Sequence, residues 1–219
     1  MRCYRIKITS WISSFRYPNL ISGYQPTLQV PPISTVLGVI NACAGRYLDH
    51  KLLPLGYYFE YSARSIDLET IYQIGLKKEI KQNVIKREFL FENKLFIYLN
   101  NKEYIKYFRH PVYPLLLGRS TDLASVELVE EIELKEISSP TKIKGQIVPF
   151  NSCCLPGVIQ ALPKYFTNTI PRSNIGTEPY SVIPYNSADV PAPVKAYRDV
   201  IENKEVDIYF HELDFSKYL

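Results

Sequence analysis

The chain has 219 residues, 46% of them apolar, which suits one large domain or two closely packed small ones and excludes a disordered chain. It has no run of about 18 apolar residues to span a membrane, and its opening MRCYRIKITS leads into neither a uniform apolar stretch nor a small-residue cleavage site. The net charge of +4 is uneven: 12 basic and 5 acidic residues lie up to residue 87, against 14 basic and 17 acidic beyond it, so the front of the chain is a candidate polyanion surface.

Residues 2–9 alternate, with Tyr4, Ile6 and Ile8 on one side and Arg5, Lys7 and Thr9 on the other, as in a half-buried strand with a basic face. A long connection runs from Ser10 to Ile33 through Tyr17-Pro18, Ser22-Gly23, Gln25-Pro26 and Pro31-Pro32. Connections of that length in a compact domain usually carry function. Ser34 then reads as the N-cap of an amphipathic helix over 35–48, on the spacing of Val36, Ile40, Cys43 and Tyr47. Tyr57 to Ala63 reads as a strand, and residues 89–99 as two strands about a turn at Glu92-Asn93-Lys94. Asn100 or Asn101 caps a short helix that stops before Pro111. Residues 124–136 and Val206 to Leu213 complete the strands.

The order strand, helix, strand, strand, helix, strand over residues 2–130 predicts the α+β class: a ferredoxin-like, RRM-like N-terminal domain over 1–130. Residues 131–219 are expected to form a small β-rich, proline-rich region packed on it, since 11 of the 16 prolines lie from Pro111 onward. The cysteines Cys3, Cys43, Cys153 and Cys154 suggest no disulfide framework and read as reduced thiols of a cytoplasmic protein. His50, His110 and His211 are scattered and C-x-x-C is absent, so neither a metal site nor a cofactor is expected.

Three segments could carry chemistry. Phe15-Arg16-Tyr17-Pro18 through Tyr24-Gln25-Pro26-Thr27 to Ser34-Thr35 brings aromatic faces, a guanidinium and hydroxyls to a helix N-terminus, which suits phosphate and unpaired bases. A packed loop whose tyrosines complete the core is the equal alternative. Leu117-Gly118-Arg119-Ser120-Thr121-Asp122 allows close backbone approach and offers phosphate donors, or is a tight turn capped by Asp122. Residues 77–87 hold Lys77, Lys78, Lys81, Lys86 and Arg87 against Glu79, a protruding basic hairpin or a solvated loop.

Together, FRYPNLISGYQPTLQVPPISTVLGVINAC (15–43), NVIKREFLFENKLFIYL (83–99) and YPLLLGRSTDLASV (113–126) resemble CRISPR-associated protein family five, a RAMP-type subunit of the Cascade surveillance complex, in wording nearest the type I-B branch. The resemblance covers roughly the first 130 residues. It implies a non-catalytic subunit that caps the 5′ handle of the guide RNA (crRNA) for DNA-targeting antiviral defence. A thumb over about 66–92 would pack against the neighbouring backbone subunit, the large subunit would dock nearby, and target DNA would be met through the complex. No membrane partner is implied. On this reading Arg16, Tyr24, Gln25, Ser34 and Thr35 lie near the handle, Gly118, Arg119 and Ser120 cradle its backbone, and Lys77, Lys78, Lys81, Lys86 and Arg87 belong to the thumb and its base. Tyr17, Thr27 and Arg46 complete the expected RNA-binding set.

One branch of that family is a metal-independent endoribonuclease. Such cleavage needs a base and an acid, and the candidates here are Tyr24 or Tyr47 with Lys106 and His110. His110, in Phe108-Arg109-His110-Pro111, also reads as structural or capping. No tight constellation appears, so a non-catalytic role is expected. The endoribonuclease and a protein-only scaffold are the alternatives.

Overall fold

The computed structural model describes residues 1–17, 23–48, 53–75, 80–150 and 155–215. In chain order the first elements are β1 (Arg2–Ser13), β2 (Tyr24–Gln25), α1 (Ile33–Ala44), β3 (Leu53–Ile74), β4 (Ile80–Leu99) and α2 (Lys102–Arg109). Then come β5 (Leu115–Leu116), β6 (Leu123–Glu133), β7 (Lys135–Ile137), β8 (Gln146–Pro149) and β9 (Val158–Phe166). The last are β10 (Asn174–Ile183), β11 (Ala196–Ile201), β12 (Lys204–Ile208) and β13 (Phe210–Leu213).

The main sheet runs β13-β3-β4-β1-β6-β5, with β2 added in parallel to β4. Its central strands are apolar on both faces. Leu95, Ile97 and Leu99 of β4 join Ile6 and Ile8 of β1 and Tyr57 and Phe59 of β3 in one core, with α1 and α2 packed over them. Phe96, Tyr98 and Tyr58 point the other way, under Ile201, Val206 and Ile208 of the β11–β12 hairpin. Burial on both faces is why these strands read as continuous apolar runs. The first core also takes Leu162, Tyr165, Tyr180, Val182 and Leu213 from the last third of the chain. β13 closes the sheet through Phe210↔Gly56 to Leu213↔Leu53.

The α+β, ferredoxin-like assignment is corrected here. The described residues are 57% strand and 10% helix, and the main sheet is a curled antiparallel half-barrel, so the fold is mostly β. Two causes account for the difference. Strands are far longer than the sequence periods suggested: β3 and β4 pair from Leu55↔Leu99 to Ile74↔Ile80. The turn expected at Glu92-Asn93-Lys94 is mid-strand. Glu92 takes φ 52°, while Asn93 is buried, accepting from the Ser13 hydroxyl at 2.9 Å and donating to the Ser10 carbonyl at 3.3 Å. The second cause is the last third of the chain, where β8-β10-β9 and β12-β11-β7 form two further sheets.

The first helix differs from its expected form at both ends. α1 starts before Ser34, at Ile33, after Pro32, and has no side-chain cap. Gly45, at φ 70°, ends it by donating to the Ala42 carbonyl. α2 is capped as read from the sequence, with the Asn101 side chain accepting from the Glu103 N–H at 2.9 Å.

The basic face of β1 is covered and neutralised. The Arg5 guanidinium bridges Glu130 at 2.8 Å and Asp199 at 2.7 Å, and the Tyr98 hydroxyl donates to Asp199 at 2.8 Å. Lys7 pairs with Glu127 at 3.0 Å and Glu202 at 3.4 Å. No helix among the described residues is long and apolar enough to cross a membrane.

His211 on β13 is buried between the rings of Tyr57, Tyr180 and Tyr209, with Nε2 3.0 Å from the Ile147 carbonyl. Burial, with nearby Lys164 adding, pushes its pKa from 6.5 down to about 3. The unfolded chain therefore binds this proton first on acidification. Stability is whole above pH 6.5 and falls by about 1.4 kcal/mol per pH unit below it, until the folded value is reached. Urea unfolding between pH 7 and 5 checks this: His211→Gln, which keeps a donor for Ile147, is expected to remove most of that slope.

Candidate nucleic-acid interface

Beyond Ser13 the chain leaves the sheet and doubles back on itself. Leu28 donates to the Phe15 carbonyl at 2.8 Å, the Phe15 N–H donates to the Thr27 hydroxyl at 2.8 Å, and Arg16 bridges Thr27. Gln25, just before, pairs with Arg87 at the base of the β3–β4 arm. This doubled strand is one wall of a cleft of about 640 Å³. The first half of α1 lines it too, with Ser34, Thr35 and Gly38. Gly118 and Arg119, Arg87 and Glu88, and Phe166 and Arg172 from β9 and the connection that follows it complete the lining.

The turn at Gly118 is held by a buried carboxylate. Asp122 has no exposed surface. It accepts from the Ser14 hydroxyl at 2.8 Å, the Arg119 N–H at 3.0 Å and Arg119 Nε at 3.2 Å. Gly118 sits at φ 135°, and a Cβ there would lie 2.2 Å from the Ser14 carbonyl oxygen, so only glycine fits. The segment forms the tight turn held by Asp122, and its Gly118 and Arg119 line the cleft.

Charge in the cleft is basic. Four arginines line it, Arg16, Arg87, Arg119 and Arg172, with Glu88 as the acidic residue among the lining set. Glu88 is occupied, accepting from the Thr27 N–H at 3.0 Å and pairing with Arg64 at 3.2 Å. Arg87 is neutralised by Glu69. Arg119 uses Nε on Asp122. Arg16 and Arg172 are exposed and have no ion pair among the described residues. The α1 N-terminus, which also lines the cleft, lacks a side-chain cap, so its free backbone N–H groups add positive potential there.

Of the expected set, the structure brings Arg16, Gln25, Ser34, Thr35, Arg87, Gly118 and Arg119 to this cleft. Thr27 is buried, with its hydroxyl engaged by Phe15 and Leu28, and builds the wall. Tyr17 is half-buried, and burial with Glu88 nearby pushes its phenol up. Tyr24, Lys86 and Lys81 are exposed but outside the cleft lining, as is Ser120. Arg46 is exposed just past the far end of α1 from Ser34, about 15 Å along a helix of this length. Lys77 and Lys78 lie outside the described residues. Sequence reasoning missed Arg172, Phe166, Leu162 and Pro163, because nothing local to β9 signals that it packs across α1.

On the arm, Lys81 and Lys86 are exposed, while Arg87 is paired with Glu69. Arg64 is paired with Glu88. By register, Ile66, Leu68, Tyr72 and Ile74 share one face with Ile80 and Val84, and all six are exposed.

The residues considered for RNA cleavage are placed on several elements. Tyr24 is on β2, and Tyr47 packs on Tyr165 with ring centres 6.0 Å apart. Lys106 lies 5.2 Å over the Tyr107 ring, and His110 follows the last residue of α2.

No protein-family model matches the sequence, and no curated protein matches it. Solved structures do resemble it in fold. A chain of a CRISPR RNA-guided surveillance complex is 15% identical, with 87% of this chain and 91% of that one covered and a TM-score of 0.56. A chain in the cryo-EM structure of the Type III-B Cmr-beta bound to cognate target RNA is 10% identical, with 85% and 86% covered and a TM-score of 0.57. The chain thus shares a fold with components of two CRISPR complexes, one of them bound to RNA.

Proposed function

We propose that the chain is a non-catalytic guide-RNA-binding subunit of a CRISPR surveillance complex, of the Cascade kind and type I-B-like, which holds the 5′ handle of the guide in the arginine-lined cleft. The observation that carries this is the cleft: Arg16, Arg119 and Arg172 line it together with an uncapped helix N-terminus. Such a cleft suits a single-stranded phosphate backbone. The shared fold with chains of two CRISPR complexes supports the setting. The apolar face of the arm suits contact with a neighbouring protein subunit, and RNA then occupies the cleft at the arm's base. On this reading the protein works in the cytoplasm and meets target DNA through the complex.

Purification together with the products of neighbouring genes, followed by sequencing of bound RNA, tests the reading. A short 5′ segment common to the recovered molecules is expected; RNA lacking one overturns it. The non-catalytic part has its own check. Incubation of the purified chain with repeat RNA in EDTA is expected to leave the RNA whole, and specific cleavage that disappears in His110→Ala would overturn it.

Gly38 gives a separate handle on the cleft. It is exposed within α1, lines the cleft, and a Cβ there would meet nothing within 4 Å. Gly38→Ala is expected to stabilise the protein by about 1 kcal/mol through helix propensity. Gly38→Glu is expected to fold as well as the wild type and to bind RNA on the order of tenfold more weakly, as a carboxylate enters the phosphate path. Thermal melts and filter binding read the two effects.

A further inference from the structure

We propose that Gln25 reads a nucleobase of the bound RNA, taking the exocyclic amine of an adenine or cytosine on its side-chain oxygen inside the cleft. This rests on the RNA-binding reading above and adds which part of the nucleotide enters and what recognises it. Gln25 is 9% exposed, lines the cleft, and is fixed by pairing of β2 with β4 opposite Arg87. Its Oε1 is buried and has no hydrogen-bond partner, alone in this among the described side chains. Buried polar atoms are nearly always paired, and one left unpaired opposes folding. A donor from outside the chain would satisfy it.

The rest of the cleft says which donor. The guanidiniums of Arg16, Arg119 and Arg172 can only donate. Glu88 already accepts from Thr27 and pairs with Arg64. Gln25 Oε1 is therefore a buried, unmet acceptor in a residue that lines the cleft beside arginine donors. An inorganic phosphate would satisfy the arginines and leave Oε1 unmet. A nucleotide supplies both halves, with phosphate oxygens for the guanidiniums and a base N–H for the amide. Phe166, Pro26 and Pro163, which also line the cleft, offer the flat apolar surfaces against which a base stacks. An amide that accepts through Oε1 and donates through Nε2 matches a base edge where an amine adjoins a ring-nitrogen acceptor. Adenine and cytosine present that edge on their pairing faces, where guanine sets its amine beside a ring N–H. Uracil has a carbonyl where cytosine has the amine.

The test is anisotropy titration of the purified chain with fluorescent octanucleotides of adenosine, cytidine, uridine and purine riboside, the last being adenosine without its amine. The adenosine or the cytidine octamer is expected to bind about tenfold more tightly than the uridine octamer, and which of the two does so identifies the base. If adenosine is preferred, the purine-riboside octamer should fall to the uridine level; for cytidine, the uridine octamer is itself the amine-less control. In Gln25→Leu the ratio is expected to fall to about one, with the melting temperature held or raised because an unmet acceptor is gone. Gln25→Glu keeps an acceptor and should keep the preference at lower overall affinity. Equal binding of all octamers by the wild type, or a preference that survives in Gln25→Leu, overturns base reading while salt-dependent binding leaves the RNA reading standing. No binding of any octamer at low salt overturns both. The comparison of octamers on the wild type needs no variant, so a poorly folding substitution does not block the decision.

Discussion

Arg16→Ala combined with Arg172→Ala is expected to weaken binding of single-stranded RNA by about tenfold per arginine, the worth of a charge-assisted hydrogen bond, with little change in stability. Both side chains are exposed and without ion pairs among the described residues, so their removal breaks nothing that holds the fold. Substitutions of that kind usually stay within about 0.5 kcal/mol. The diagnostic is the salt series. Each arginine withdrawn from a phosphate should reduce the slope of log K against log salt by roughly 0.7. Arg5→Ala is the contrast: it breaks the bridge to Glu130 and Asp199, lowers stability, and leaves the slope alone. A protein-only scaffold predicts an unchanged slope in every variant, and filter binding across a salt series would reveal it.

Asp122→Ala is expected to cost about 3 kcal/mol of stability, the lower end for breaking a buried charged pair, and to weaken RNA binding at the same time. Its carboxylate is fully buried and ties together the Ser14 hydroxyl, the Arg119 backbone and the Arg119 guanidinium. Removing it leaves those donors unmet and frees Arg119 from the position that aims it into the cleft. Ser14 also carries the 3.0 Å backbone bond to the Leu117 carbonyl, so this part of the cleft lining loosens as a unit. Asp122→Asn keeps an acceptor and should lose less. Urea unfolding measures the difference; a loss below about 1 kcal/mol for the alanine variant would mean the turn stands without its carboxylate.

Several local features were legible in the sequence because their causes are local. The alternation of β1, the Asn101 cap of α2 and the approximate place of α1 all follow from patterns within a few residues. So does the tight turn at Gly118, where a small residue is followed by Arg119 and a carboxylate three residues further on. The segments around Arg16 and Arg119 were singled out separately by residue type, and the structure places both on one cleft.

The class of the fold was decided elsewhere. Periodicity in β4 is masked by burial on both faces, so Glu92-Asn93-Lys94 looked like a turn, when Asn93 is in fact an interior residue satisfied by Ser13 and Ser10 across the sheet. Part of the charge excess at the front of the chain is spent within the fold for a related reason. Arg5 and Lys7 spend their charge on Glu130, Asp199, Glu127 and Glu202, partners more than a hundred residues away.

What the amino-acid order determined by itself is the set of short-range devices: the alternation of β1, the Asn101 cap of α2 and the glycine turn. Which arginines remain unspent, that Arg172 joins Arg16, and that the Gln25 oxygen is buried without a partner, only the tertiary structure decided. Ion pairing and desolvation depend on what lies within a few ångströms in space, and proximity between residues far apart in the chain leaves no mark on the local pattern.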